Sequence, residues 1–250
     1  MKKLLIILLI PFFAFSQTNQ NREYWQTNKW SAKKGMTAEF ETAVAKKTQK
    51  FNKTKETSIF TYQIITGPDQ GKYMRVVGNR DAASFDEDNA SEMAYWMKNV
   101  MPYVESNDGN IRYWRVKGAG LNWDNDVPPA RFVKMTTYNI KRGKMSDFFR
   151  FWRNNVKLQN ELGYSGISGV FMLVSGGQRA QILHVEPYNS HAEGMGKLKD
   201  PDVDYVEEYN KMFGWRSHRN DEKAFNNSFE QWGVTIETAE LKTKMSSNLK

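Results

Sequence analysis

No cysteine occurs anywhere in the 250 residues. That absence excludes a disulfide framework, a thiolate metal site and a lipid-carrying cysteine near the N-terminus. Histidine is scarce, with three copies, so a histidine-rich metal cluster has little to draw on. Long apolar runs are missing too: the one candidate, Leu4–Phe15, is far shorter than the roughly 20 residues that cross a bilayer. Neither sign of charge dominates. The formal charge is +8, or +6 once Lys2 and Lys3 are discounted, which does not by itself predict a nucleic-acid partner. There is no nucleophile elbow, phosphate loop or zinc-protease helix. Gly194-Met195-Gly196 has no strand leading into it, so it is not a dinucleotide fingerprint.

What is present begins with a leader. Two lysines precede the apolar run, and Ala14-Phe15-Ser16 places small residues where a signal peptidase reads them. The expectation is cleavage after Ser16 and a soluble periplasmic or secreted protein with no stable membrane anchor. Lysines and carboxylates alternate along the remaining chain, as on solvated helix faces.

The dominant internal feature is a repeat. Trp30–Phe51 and Tyr138–Gln159 align without a gap at an offset of 108, matching Lys33 to Lys141, Gly35 to Gly143, Phe40 to Phe148 and Asn52 to Asn160. A repeat of this length predicts duplicated architecture.

In chain order, Tyr24–Ala32 is a strand running into a turn at Gly35. The helix after it carries Met36, Phe40, Val44 and Phe51 on one stripe. Ser58–Thr66 and Lys72–Val77 form a hairpin across Gly67–Gly71. A second helix starts near Asp81 or Ser84, with Met93, Met97, Val100, Met101 and Val104 as its buried stripe. A turn at Asn107–Asn110 ends it, and Ile111–Val116 closes the unit. Prolines 128 and 129 mark a boundary. The order then recurs: strand Phe132–Ile140, a helix with Met145, Phe148, Phe149, Trp152 and Val156, and a hairpin across Ser175–Gly177. A helix follows with Val206, Tyr209, Met212 and Phe213, then a polar stretch Arg216–Asn227, and a closing strand around Trp232–Glu237. The expected division is a signal peptide at 1–16, a first unit at 17–122, a linker at 123–129, a second unit at 130–241 and a disordered tail at 242–250.

Each unit reads β-α-β-β-α-β, a ferredoxin-like order, and the fold class is α+β. Two fused units of this kind resemble the dimeric α+β barrel superfamily, which includes antibiotic-biosynthesis monooxygenases, NIPSNAP-like proteins and haem-binding chlorite dismutases. The resemblance covers about Tyr24 to Leu241 and rests on element order and the repeat. It implies a pseudo-twofold barrel of two facing sheets with helices outside and a ligand inside the barrel or between sheet and helices. It carries over no catalytic residue. The same order occurs in RNA-recognition motifs, but KYMRVV and QILHV lack the basic-glycine-aromatic pattern, so no nucleic acid is expected.

Strand alternation supplies the site candidates. His184 matches Arg75 in the repeat, and both lie between apolar neighbours: Leu183 and Val185, Met74 and Val76. If those apolar residues lie under the helices, Arg75 and His184 point into the barrel, joined by Gln63. His191 and His218 are expected at the surface. The acidic runs Asp124–Asp126 and Asp200–Asp204 lack the glycine and glutamate of a calcium loop, so no metal is expected. Two functions stay open. One is a non-catalytic module holding a small ligand in the barrel, without a cofactor. The other, implied by the resemblance, is a cofactor-independent monooxygenase-like enzyme or a haem-dependent one.

Overall fold

The computed structural model describes residues 22–126, 128–178, 180–195 and 201–249. The leader and Asp200 lie outside the described residues. The first unit contains β1 (Tyr24–Ala32), α1 (Thr37–Phe51), β2 (Phe60–Thr66), β3 (Tyr73–Arg80), α2 (Ala90–Asn99) and β4 (Val104–Arg115). The second contains β5 (Phe132–Ile140), α3 (Met145–Glu161), β6 (Gly169–Ser175), β7 (Gln181–Tyr188), α4 (His191–Met195), α5 (Tyr205–Phe213), α6 (Ser217–Asn226) and β8 (Phe229–Leu241). The repeated glycines sit in equivalent strand-to-helix turns with φ of 79° at Gly35 and 77° at Gly143, a left-handed conformation that a side chain disfavours.

The eight strands close in the order β1-β3-β2-β8-β5-β7-β6-β4. Within each unit the order is the same, β4-β1-β3-β2 and β8-β5-β7-β6. The units join at two antiparallel seams, β2 on β8 and β4 on β6. The result is one continuous closed sheet, and not two sheets stacked face to face. Closure leaves no edge strand exposed to foreign pairing.

An eight-stranded barrel is just wide enough for side chains to fill it, and here they do. Tyr62, Ile64, Met74, Tyr113, Val133, Met135, Phe171, Leu183 and Ala239 are buried inside, joined by Trp25, Trp123, Val76 and Val185. Trp25, Trp123 and Phe171 meet edge-on with centroids 5.2 to 5.7 Å apart, the arrangement ring quadrupoles favour. Gly78 permits this, because a Cβ there would lie 2.4 Å from the Trp25 ring. The expected barrel cavity is therefore occupied by side chains of the protein itself.

Two further cores lie outside the sheet, beneath helices. α1 buries Phe40, Ala43, Val44, Lys47 and Thr48, the i, i+3, i+4, i+7, i+8 spacing of one helix face. With Tyr73, Trp96, Val100 and Val104 this forms the layer of the first unit. Phe148, Phe149, Ile140, Val170 and Ile182 form that of the second.

Several elements differ from expectation. β4 runs unbroken through Asn107–Asn110, pairing with β1 across register shifts, so the turn-like composition forms an irregular, bulged strand. α2 starts at Ala90 and buries Trp96, while Met93 and Met97 are exposed. The polar stretch before β8 forms α6, whose Phe225 packs on Tyr138, Phe148 and Phe151. Trp123, placed in the linker, enters the barrel.

Residues 242–249, expected to be disordered, pack onto the first unit. Thr243–Met245 form a 3-10 turn, and Met245 is 1% exposed in the core beneath α1. Thr61 donates its backbone N–H to Ser246 Oγ at 2.9 Å, and Ser247 Oγ donates to the Asn52 carbonyl at 2.7 Å. Met245→Ala should cost about 2–5 kcal/mol, the usual range for a buried methionine. Urea unfolding measures it, and an unchanged midpoint would show that the tail adds nothing to the first unit.

Candidate functional site

Strand alternation decides which layer each candidate enters, and it places all three outside the barrel. Met74 and Val76 point inward with Leu183 and Val185, so their neighbours Arg75 and His184 point outward beneath the helices. Arg75 meets Thr48 of α1 and Trp96 of α2. His184 meets Trp152 of α3. Gln63 shares the outer side with Tyr73, donating to its hydroxyl at 3.4 Å, and accepts from Lys242 Nζ at 3.4 Å. The expected register is off by one because both sides of the sheet face an apolar core, so alternation alone does not say which core a residue enters. Arg75 and His184 do occupy corresponding places, each under the first helix of its unit, but no common cavity brings them together.

The first-unit layer contains an unusual group of charges. Lys47 on α1 is 3% exposed and Arg75 on β3 is 6% exposed. Lys47 Nζ donates to Asn52 Oδ1 at 2.9 Å and pairs closely with Glu92 of α2. Asn52 Nδ2 is held by the Thr57 carbonyl at 2.8 Å. Arg75 Nη2 donates to Thr48 Oγ1 at 3.0 Å, and its guanidinium carbon lies 4.9 Å from the Trp96 ring centre. Two buried cations thus share one half-buried carboxylate. Arg75 Nε and Trp96 Nε1 are buried with no hydrogen-bond partner among the described residues, a condition that costs about 1–3 kcal/mol for each donor.

The titration behaviour follows from this shortage of acceptors. Burial lowers the Lys47 ammonium to about 8, the Arg75 charge adds to the shift, and Glu92 opposes it. Burial likewise lowers Arg75 to about 10, with Glu92 again opposing. Desolvation is the larger effect in both. Between α1 and α2 runs a surface groove of about 360 Å³, bordered by Ala43 and Lys46 on one helix and Tyr95 and Asn99 on the other. Ala43 is one turn from Lys47, and Tyr95 adjoins Trp96.

The second-unit layer has a different character. At the repeat offset, Lys47 and Thr48 become Asn155 and Val156, so the cation on the helix is gone. His184 lies 4.6 Å from the Trp152 ring, and its Nδ1 lies 3.7 Å from Glu186. Burial lowers the imidazole to about 4, so it is neutral at pH 7. Around it Tyr138, Phe148, Trp152 and Phe225 pack ring on ring. A planar macrocycle bound to His184 needs an open flank on the imidazole. The His184 side chain is only 12% exposed and packs against Trp152, with Phe225 behind it, so the residues as arranged do not fit haem. Among the described residues no group of three His, Asp or Glu side chains is placed to hold a metal.

The other histidines divide. His191 is exposed beside Phe132. His218, expected in a surface loop, is on α6 with its side chain 15% exposed, packed against Phe151 and Tyr209.

Lys47, Glu92, Asn52 and Trp96 went unrecognised in the sequence. One signal was available: Lys47 is i+7 from Phe40 and i+3 from Val44, a charge on the buried stripe. Nothing in the sequence alone brings Glu92 and Trp96 to it.

No family model matches the chain, and no curated protein does. Solved structures do match. An anthrone oxidase-like protein aligns at 9% identity and TM-score 0.52, covering 89% of this chain and 92% of that one. A "putative monooxygenase" from Lactobacillus acidophilus aligns at 11% and 0.54, covering 92% and 100%. A "putative chlorite dismutase" aligns at 9% and 0.54, covering 90% and 96%. The chain therefore has the dimeric α+β barrel fold, built from two ferredoxin-like units. At such identities the likeness establishes the fold alone.

Lys47 gives a pH test. Between about pH 8 and the ordinary lysine value of 10.5 the unfolded chain holds a proton that the folded chain has released, so stability rises with pH across this window. From pH 7.5 to 10.5 the wild type should gain about 1–3 kcal/mol on Lys47→Met in urea unfolding. Parallel pH profiles would show that Lys47 stays charged in the fold.

Proposed function

We propose that the protein binds a small organic molecule in the helix–sheet layer of its first unit, beside Lys47, Arg75 and Trp96. The supporting observation is the pair of buried donors without a partner among the described residues, Arg75 Nε and Trp96 Nε1: native structures leave few such groups unsatisfied, and each calls for an explanation such as a functional role or a bound species. The barrel is no competitor, because its own side chains fill it. Native mass spectrometry of the purified protein should reveal a co-purified small molecule that Arg75→Gln loses. A protein that is ligand-free under gentle conditions and unaffected by the substitution counts against the site.

A second reading, cofactor-independent turnover of the bound molecule, draws support from neighbours described as anthrone oxidase-like and monooxygenase. The haem branch is disfavoured by the packing of Trp152 on His184. Added haemin should give no saturable Soret shift, and a sharp shift abolished by His184→Ala would restore that branch.

We also propose export with cleavage after Ser16. The leader pattern supports this, and the first strand begins at Tyr24, so such a cut leaves every described element whole. The mass of the mature N-terminus tests it, and an exported protein retaining Met1 refutes it.

A further inference from the structure

The ligand class can be inferred from the chemistry of the donors, on the premise that the first-unit layer is the binding site. Of the three buried side-chain atoms without a partner among the described residues, two are Arg75 Nε and Trp96 Nε1. They belong to a guanidinium and an indole that face each other at 4.9 Å from opposite walls, β3 and α2. Both are donors, and Lys47 beside them is a third. A neutral ligand would satisfy at most the hydrogen bonds. An oxyanion also offsets the surplus positive charge, and its bonds to cationic donors are the stronger kind.

Glu92 supplies the second line of argument. It is the one carboxylate paired with Lys47 among the described residues, it also receives Asn52 Nδ2 at 3.4 Å, and its side chain is 29% exposed. It comes from α2, a helix of ten residues that buries only Trp96. Glu92 thus occupies, from the more weakly held wall, the place that a ligand carboxylate would take. It does not reach Arg75 Nε or Trp96 Nε1, which stay unpaired. The groove next to the site is flanked by Tyr95 and Tyr103, surfaces suited to the flat body of an aromatic acid.

We propose that this layer binds a small organic carboxylate, whose oxygens displace Glu92 from Lys47 and accept hydrogen bonds from Arg75 Nε and Trp96 Nε1. The indole N–H of Trp96 reports on this directly, since its proton and nitrogen resonances move when it gains an acceptor. With the full chain, the Trp96 indole peak is assigned by its loss in Trp96→Phe and followed during titration with benzoate, benzamide and inorganic phosphate. Benzoate should shift the peak saturably, and benzamide, its neutral counterpart, should not. Arg75→Gln should weaken benzoate by at least about tenfold, as expected for loss of a buried charge-assisted contact. Glu92→Gln, whose fold is checked by circular dichroism because it removes the partner of buried Lys47, should tighten it several-fold by removing the internal competitor.

Three outcomes overturn the proposal: a still peak with benzoate, an equal response to benzamide, or weaker binding in Glu92→Gln. A response to phosphate alone assigns the site to an inorganic oxyanion and also overturns the carboxylate class. If mass spectrometry finds an Arg75-dependent ligand while benzoate leaves the peak unmoved, the site stands and its carboxylate character falls. If neither is seen, both fall.

Discussion

Closure of the sheet is the constraint on which the rest of the molecule depends. Each four-stranded half has two open edges, and only the pairing of β2 with β8 and β4 with β6 satisfies their backbone groups. Closure also fixes the inside diameter, and with Trp25, Trp123, Phe171 and Tyr113 in place the inside is full. Polar chemistry is thereby displaced outward, into the layers that the helices cover. The location of Arg75 and His184 follows from barrel geometry before it follows from anything specific to those residues.

The two layers began as copies and now differ in electrostatics. The first holds Lys47 and Arg75 near Glu92, the one carboxylate that pairs with Lys47 among the described residues, and burial lowers both cations. The second replaces the helical lysine with Asn155 and surrounds a neutral His184 with aromatic rings. In its outer part Asp221 collects Arg150, Asn154 and Tyr209, so the charges there are matched. Matched charges make a stable wall, whereas surplus donors make a place where something else can bind.

The duplicated order and the barrel were legible because they follow from long periodic segments and from an ungapped repeat. Which side of β3 and β7 faces inward was not legible. Tyr73 is as buried as Met74, and Ile182 as buried as Leu183, so both sides of each strand meet an apolar core and alternation has no preferred origin. The continuity of β4 was hidden because Asn-Asp-Gly-Asn has turn composition, yet β1 is long enough to hold it in the ladder. The site itself needed α2 to bring Glu92 and Trp96 more than forty positions along the chain to Lys47, a tertiary fact with no local signature. The tail looked dispensable for its lysines and serines, yet Met245 fills the core beneath α1 and Ser246 and Ser247 tie the segment to Thr61 and Asn52.

That tail has a consequence for the order in which the molecule can be made. The first unit is encoded first, but its edge strand β2 waits for β8, and the core beneath α1 waits for Met245. At about 5–20 residues per second, the N-terminal half spends on the order of ten seconds without its last strand and plug. A chain built in this way cannot lock its first half into the native state until residues 229–247 have been made. Residues 243–247, made after both units, are the ones that complete the part made at the beginning.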